Sequence, residues 1–524
     1  MIKRIKIFFF IFTFGSLHSQ NQYFVWFKQK DITKSTLCLS EASIERKVSY
    51  NVDIDEKDYA IDPIRIQELE KKTPVLLSSK WLNGALIEID ESKLKEIQSL
   101  DFVKKIELIA RTKKLKSSSK KSKSSYTIAE YGSTFNQINI HKGDTLHSQG
   151  FNGEGMKIAV FDAGFQRIDS IASLKHLFDE NRIFPIKNYV YNTDSFYKYD
   201  NHGTLVLGCM GSFLKDTIIG TAPKANYYLF ITEASGYESK VEEINWAKAA
   251  EVADSIGVDI INSSLGYTEF DDASTNYSFE QLDGKTAISS IAAQIASDKG
   301  ILVVNAAGNL GNKSWKKIAC PADAEGVITV GAIDKDGNIT DFSSRGYNAL
   351  NQIKPNVCAV GRAATCYYDQ GGYAISNGTS FASPIMAGLI SCFWQANKMA
   401  SPDKIKDALY RSSHRFTNPN EAFGYGIPNF ATAQKMISKI DTSNAIQLYP
   451  NPTQDAVVME FIHDATETIK IDLYCFQGLI MSQTEKLIQG NNLLRFDLSN
   501  YARGAYFFKL TFKDRILYKK LIKN

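Results

Sequence analysis

The chain has 524 residues, a formal net charge of +4 and a hydrophobic content of 44%. That length exceeds what one ordinary core holds and requires several units. The charge is small, and the lysines form no stripe with interleaved aromatic residues, which excludes a nucleic-acid-binding reading.

The first six residues carry three of those basic groups, residues 7–17 form an apolar run rich in phenylalanine, and His18-Ser19-Gln20 follows. This is the layout of a secretory signal over residues 1–20, with a hydrophobic stretch too short to span a bilayer. The competing reading is a membrane anchor. No later run reaches membrane-spanning length, so the protein is expected to be exported and soluble. Residues 21–112 read as a small α+β module, with strand patterns at 23–27, 85–89 and 103–109 and a short helical pattern at 94–100. Residues 113–125 are almost wholly lysine and serine. Nothing there can pack, which makes it a linker and an exposed processing zone. A basic tail for an acidic partner is the alternative.

Residues 126–440 alternate strand and helix patterns. Strands are expected at 157–161, 225–231, 258–262, 301–305 and 327–330, and helices at 202–212, 241–256, 287–298, 380–395 and 402–410. Short apolar runs between helices imply an α/β fold: a parallel sheet covered by helices on both faces. From about residue 445 the composition changes. Leu448-Tyr449-Pro450-Asn451-Pro452-Thr453 is rich in turn residues. Strand patterns at 456–461, 469–474, 492–497, 504–511 and 516–522 then suggest a small β-sandwich over residues 445–524. Seven cysteines are scattered with no metal or redox spacing. Cys209 and Cys392 fall in apolar helix patterns and are expected as buried thiols. A disulfide among Cys320, Cys358 and Cys366 fits an exported protein, with the pairing open.

Three segments carry chemistry. Asn377-Gly378-Thr379-Ser380-Phe381-Ala382-Ser383-Pro384 sets a serine at the start of an apolar helix. A helix start exposes a hydroxyl, aims free backbone N–H groups outward and presents a positive dipole end. Those are the needs of a serine nucleophile, although an ordinary N-cap has the same look. Lys157-Ile158-Ala159-Val160-Phe161-Asp162-Ala163-Gly164 is a buried strand ending in a carboxylate, where open α/β sheets build their sites. Asn201-His202-Gly203-Thr204 opens a further helix with a histidine. Alone, His202 reads as a cap and Asp162 as a strand-end turn residue. Together, Asp162, His202 and Ser380 run in one of the known chain orders of the acid–imidazole–hydroxyl relay.

On these three motifs the sequence resembles the subtilisin-like serine peptidases from about residue 126 to about residue 440. The resemblance implies a catalytic triad of Asp162, His202 and Ser380. In it Ser380 attacks the scissile carbonyl, His202 shuttles the proton and Asp162 orients the imidazole. It also implies an oxyanion hole from the Asn309 side chain, within Ala306-Ala307-Gly308-Asn309, and the Ser380 backbone N–H. Without the resemblance, Gly308-Asn309 reads as a turn after a strand. Ser264, Leu265 and Gly266, together with Gly308, are the implied substrate-binding residues, lending backbone groups to an extended peptide. The chain departs from the family twice. Tyr267 stands where a second glycine is usual, and its ring is expected to narrow or redirect the cleft. Leu205 stands where a further histidine is common.

The resemblance further implies that residues 21–112 are a propeptide, a folding chaperone and inhibitor removed on activation. The mature chain is expected to begin between about 113 and 131. No cofactor is required for the chemistry. Structural calcium is frequent in the family, but no acidic loop is specific enough to assign, and Asp271-Asp272 reads as a solvated loop. Asn377-Gly378-Thr379 forms a glycosylation sequon that attachment would turn into an obstruction. Residues 445–524 resemble the C-terminal sorting domain of type IX secretion substrates, on Tyr449-Pro450-Asn451-Pro452, Arg503-Gly504-Ala505-Tyr506-Phe507 and the basic end Lys519-Lys520-Leu521-Ile522-Lys523. The implied partners are protein or peptide substrates, the chain's own propeptide and the outer-membrane secretion machinery, and the implied location is outside the cell or on its surface. The alternative functions are a catalytically silent surface adhesin, a carbohydrate-binding sandwich at the C-terminus, or a peptide acyl-transferase on the same fold. No Gly-x-Ser-x-Gly elbow frames Ser380, which argues against a lipase-type hydrolase.

Overall fold

The computed structural model describes residues 21–30, 32–50, 52–111, 131–191, 193, 195–398, 400–437, 446–463, 466–476, 478–488, 490–513 and 516–524. The signal over 1–20 and the linker over 113–125 lie outside the described residues.

The N-terminal module is a four-stranded antiparallel sheet of β1 (Asn21–Phe27), β2 (Val75–Ser79), β3 (Gly84–Ile89) and β4 (Val103–Ala110), ordered β2-β3-β1-β4. Helices α1 (Glu41–Ser49) and α2 (Pro63–Glu70) start on side-chain caps, Ser40 to the Ser43 N–H and Asp62 to the Ile64 N–H. Alternation decides the sheet's two faces. Tyr23, Val25 and Phe27 fill the module's own core, and Phe24 turns the other way, into the core of the next unit.

The central unit holds a seven-stranded parallel sheet. Its strands are β5 (Lys157–Asp162), β6 (Ile183–Asn188), β7 (Asn226–Ile231), β8 (Ile260–Ser263), β9 (Leu302–Ala306), β10 (Ile328–Ile333) and β11 (Val357–Val360), in the order β11-β10-β9-β8-β5-β7-β6. Alternate residues of each strand feed opposite cores. Ile158, Val160, Leu302 and Val304 pack with α3 (His202–Gly211) and α6 (Thr379–Ala396) on one face. Ala159, Phe161, Ile261 and Val303 pack with α4 (Lys240–Ile256) and α5 (Ile288–Asp298) on the other. This is the double covering expected from the continuous apolar runs. Helix α4 starts on a capping box of Ser239 and Glu242 and stops at Gly257 with φ +78. Phe161 meets Phe230 and Trp246 edge-on, with ring centroids 5.1 and 5.3 Å away. Truncating Phe161 to alanine removes both contacts and would cost about 3–5 kcal/mol.

Helices α7 (Pro402–Arg411) and α8 (Phe430–Ile437) complete the first face, and an antiparallel hairpin of β12 (Ala364–Asp369) and β13 (Gly372–Ser376) lies against α3. The sequence reading placed five of the seven strands. It missed β6, interrupted by Pro185 and Lys187, and β11, only four residues long. All seven cysteines are free thiols, so no disulfide joins Cys320, Cys358 and Cys366. Each is fully buried in its own strand or loop, Cys358 in β11, Cys366 in β12 and Cys320 opposite Tyr267.

The C-terminal unit is two antiparallel sheets over one core. Strands β14 (Gln447–Tyr449), β15 (Ala456–His463) and β18 (Gly490–Asp497) form one, in the order β14-β15-β18. Strands β16 (Thr468–Cys475), β17 (Gly478–Lys486), β19 (Gly504–Thr511) and β20 (Ile516–Lys523) form the other, in the order β17-β16-β19-β20. Val457, Met459, Ile471, Leu473, Phe496 and Phe508 fill the space between them.

The N-terminal module docks on α4 through a dry cluster of ions. Arg46 bonds the Asp254 carboxylate and the Val258 carbonyl, and Lys47 Nζ lies 2.9 Å from Asp254 and 3.3 Å from Asp58. From the central unit, Lys299 Nζ reaches Asp58 at 2.6 Å and Asp55 at 2.8 Å. Glu251 accepts from the Ser79 hydroxyl and, at 3.1 Å, from the Trp81 N–H. On its outer side, α1 meets the C-terminal unit, where Lys520 bonds Glu41 and Glu45. Asp254 is the keystone of the dry cluster. Burial works to raise its pKa, and Arg46 and Lys47 outweigh burial to hold it below the ordinary carboxylate value. A depressed carboxylate contributes stability above its unpaired pKa and loses it as pH falls through the bound value. The docked module should therefore hold at neutral pH and loosen only in acid. Asp254→Ala strands two buried cations at a cost of about 3–5 kcal/mol. Binding of the separately added N-terminal module to the rest of the chain should weaken by two orders of magnitude or more, read by calorimetric titration.

Candidate active site

Parallel strands end on one edge of the sheet, and four segments deliver polar groups there. Asp162 is the last residue of β5, fully buried, with Oδ1 accepting the Ala163 N–H at 2.8 Å. His202 opens α3, and its Nδ1 lies 2.8 and 3.0 Å from the two Asp162 oxygens. Its backbone N–H donates to Asp200 Oδ1 at 2.7 Å. Gly203 makes that approach possible. A Cβ there would lie 2.4 Å from the Gly164 carbonyl oxygen and 2.9 Å from Asp162 Cβ. Burial works to lower the His202 pKa, and the Asp162 charge and hydrogen bond overcome it, leaving the imidazole above its ordinary value.

Ser380 stands in the first turn of α6 and is 8% exposed. The helix starts at Gly378, whose φ of +150 favours glycine. Pro384 lies inside the helix and has no N–H for the carbonyl four residues back, which is that of Ser380. Ser264 fills the vacancy, its hydroxyl donating to the Ser380 carbonyl at 2.8 Å. The Ser380 hydroxyl donates in return to the Ser264 carbonyl at 3.3 Å, and among the described residues it makes no hydrogen bond to His202. The His202 ring sits 5.7 Å, centroid to centroid, from the ring of the adjacent Phe381. Behind Ser264, Asn262 Nδ2 donates to the Ser264 hydroxyl at 3.4 Å and Asn262 Oδ1 accepts from Ser383 at 2.9 Å. The second and fifth residues of α6 are thus both tied to the end of β8.

Asn309 is held by its oxygen. Oδ1 accepts the Thr379 N–H at 2.8 Å and the Thr379 hydroxyl at 3.1 Å. Those two donors fix which end of the amide is which. Nδ2 therefore points the other way, beside Gly378, and donates to no group among the described residues. A free donor at the start of a helix, next to a serine, suits an oxygen that becomes negative.

The four residues expected to bind substrate fare differently. Gly266 is exposed on the cleft edge with a Cβ position 2.9 Å from Ala319 Cβ. Ser264 serves the helix, and the Leu265 carbonyl accepts from Asn305 Nδ2 at 3.1 Å. Gly308 offers room rather than hydrogen bonds, since its N–H donates to the Thr379 hydroxyl and its carbonyl accepts the Ser344 N–H. Tyr267 does not narrow the cleft. Its backbone pairs with Cys320, which turns the ring inward to 1% exposure in the core below α4. Leu205 packs at the rim of the core under α3. Asp272 caps the turn at Ala273–Thr275 and pairs with Arg111 of the N-terminal module at 2.5 Å. Among the described residues no group of three or more His, Cys, Asp or Glu side chains gathers as a metal shell.

Sequence reasoning missed Thr379, Asp200 and the Asn262–Ser264 pair. Pro384 was the available signal, because a proline within the helix announces a carbonyl in need of a donor.

Comparison with known proteins matches three stretches of the chain. Residues 153–426 match the model of the subtilase family, residues 22–126 that of the peptidase S8 propeptide domain of Bacteroidota, and residues 447–524 that of the secretion system C-terminal sorting domain. Subtilisin DY of Bacillus licheniformis is 31% identical over 295 residues, covering 55% of this chain and 93% of its own. Subtilisin E of Bacillus subtilis is 28% identical over 371 residues, covering 70% of this chain and 84% of its own. The epidermin leader peptide processing serine protease of Staphylococcus aureus shares the fold with a TM-score of 0.53 at 19% identity, over 79% of this chain and 99% of its own.

Two substitutions test the geometry. Gly203→Ala should drive α3 away from Asp162 and cut activity at least a hundredfold while the circular dichroism spectrum is kept. Ser264→Ala leaves the Ser380 carbonyl unpaired, a loss of about 1–3 kcal/mol in stability by thermal unfolding.

Proposed function

The chain belongs to the subtilase family of serine endopeptidases, and we propose that Asp162, His202 and Ser380 carry out its peptide-bond hydrolysis. In this reading the Asn309 side chain and the Ser380 N–H hold the oxyanion. The observation that carries it is the Asp162–His202 pair, with Nδ1 fully committed to the carboxylate. That commitment fixes the tautomer and keeps Nε2 as the nitrogen available to take a proton from the serine.

The steps follow from the contacts. A χ1 rotation takes the Ser380 hydroxyl from the Ser264 carbonyl to His202 Nε2, which removes its proton as Oγ attacks the scissile carbonyl. The imidazolium that forms is stabilised by Asp162. The tetrahedral oxyanion meets Asn309 Nδ2 and the helix start. His202 then protonates the leaving amine, and water repeats the sequence on the acyl-enzyme. The N-terminal module acts as the inhibitor that removal relieves. The C-terminal unit directs type IX secretion to the cell surface or the medium.

Ser380→Ala should abolish hydrolysis and fluorophosphonate labelling in a folded protein; retained activity would overturn the assignment, and labelling of wild type separates an enzyme from an inert adhesin. Asn309→Ala should lower kcat by about 10²–10³, the cost known for the equivalent donor in a subtilisin relative. Hydrolysis needs neutral His202, so activity is lost as pH falls through its raised pKa. The acid limb of kcat/KM should lie above the ~6.5 of a free imidazole, and Asp162→Asn should move it down. Deleting residues 445–524 should trap the protein in the periplasm.

A further inference from the structure

Helix α3, which carries His202, begins without an ordinary side-chain cap. Its N-cap residue, Asn201, makes no cap hydrogen bond. The missing acceptor comes from one residue earlier, where Asp200 Oδ1 takes the His202 N–H at 2.7 Å. The other oxygen, Oδ2, accepts the Ser235 hydroxyl at 2.5 Å. Ser235 lies in the loop that leaves β7, and β7 pairs with β5 so that Ile231 stands opposite Asp162. The Asp200 backbone adds a third tie. Its carbonyl accepts the Gln166 N–H at 3.0 Å, and the Gln166 carbonyl accepts the Thr204 hydroxyl of α3 at 2.9 Å. Gly164 lets these segments meet, since a Cβ there would lie 2.6 Å from the Tyr199 carbonyl carbon and 2.8 Å from the Asp200 nitrogen.

Asp200 therefore joins three things: the loop after β5, the loop after β7 and the first residue of α3. An ordinary cap serves its own helix and nothing else. This one ties the residue bearing the imidazole to the two strands on either side of Asp162's end of the sheet. The tie matters because the ring itself has few holds. Its Nδ1 rests on Asp162, and among the described residues Ser380 makes no hydrogen bond to it. The ring's place is thus set by Asp162 at one end and by the start of α3 at the other. A carboxylate makes the stronger strap, because hydrogen bonds to a charged acceptor are roughly twice as strong as neutral ones. The titratable groups facing this region are Asp162 on β5, Asp200 itself, and Glu233 in the loop after β7, which lies within the field of both aspartates. On α6 the neighbour is the uncharged ring of Phe381. Burial lowers the His202 pKa; Asp162 and then Asp200 raise it.

Resting on the proposed proteolytic function, we propose that Asp200 is a positioning residue of the relay, whose two side-chain hydrogen bonds, to the His202 N–H and the Ser235 hydroxyl, hold the imidazole on Asp162 and within reach of Ser380. Without them the first turn of α3 loosens and the ring leaves its seat on the carboxylate. The loss falls on the chemical step, since a misplacement of about 1 Å in a reacting group costs on the order of a hundredfold in rate. Ser264, Leu265 and Gly266, at the end of β8, make no contact with this strap, so peptide binding is spared.

The experiment measures kcat, KM, the pH profile and the rate of fluorophosphonate labelling on the secreted enzyme, with circular dichroism as the check on folding. Asp200→Ala should lower kcat by about tenfold to a hundredfold with KM nearly unchanged, and should slow labelling in step. Its acid limb of kcat/KM should fall toward the ~6.5 of a free imidazole, because the ring no longer sits on Asp162. Asp200→Asn keeps an oxygen for the His202 N–H and offers an N–H to the Ser235 oxygen. It should restore most of kcat, with an acid limb between those of wild type and Asp200→Ala. Ser235→Ala removes the outer strap alone and should give a smaller loss of kcat. A folded Asp200→Ala with the kcat and acid limb of wild type, an Asp200→Asn no better than Asp200→Ala, or a loss confined to KM overturns the inference. Should Asp200→Ala not fold, wild-type kcat in Ser235→Ala overturns it equally. Failure of fluorophosphonate to label Ser380 in the wild-type enzyme would instead strike at the proteolytic reading itself, so the two failures are told apart.

Discussion

A parallel sheet puts the carboxyl end of every strand on the same edge, and the reacting groups of this protein depend on that constraint. Strand β5 ends at Asp162, β8 runs out into Ser264, and β9 runs out towards Asn309. None of these residues is near another in sequence. Their strands pair in parallel, Asn262 opposite Val160 and Val304, which fixes the spacing along the edge to one strand separation each. Two helices then bring the other two groups to that edge, α3 with His202 and α6 with Ser380. Each helix is pulled to its place by a residue that removes something: Gly203 removes a Cβ and Pro384 removes an N–H.

The sequence spoke clearly wherever a local pattern and a chemical demand coincided. Within the runs at 157–161 and 301–305, residues 158–161 and 301–304 are apolar throughout because both faces of the sheet are covered, so they read as strands without any alternation. The helix start at Ser380 was legible from Gly378 and the apolar run behind it. What could not be read were consequences of distant contacts. Tyr267 looked like an obstacle in the cleft, since a bulky ring replaced a glycine. Its direction is set by pairing with Cys320, 53 positions along the chain, which no local pattern reports. Gly308 looked like a substrate ligand, yet Thr379 and Ser344 use its backbone. The free cysteines follow from the same logic: Cys320, Cys358 and Cys366 belong to separate strands and loops, and burial rather than cross-linking explains their presence.

The interface under α1 joins the N-terminal module to the central unit through opposite charges. Under α1, Arg46, Lys47 and Lys299 meet Asp254 and Asp58 in a region closed to water, with Asp55 pairing with Lys299 at the exposed edge. Such a cluster adds little net stability over an apolar patch, because desolvation offsets most of the attraction. It is highly sensitive to the loss of any one member. That suits an attachment that is firm only while every member is in place. The apolar contact made beside it by Phe24, Trp81 and Leu86 adds burial that no single charge controls, so the ions set where the module sits and the apolar side chains hold it there.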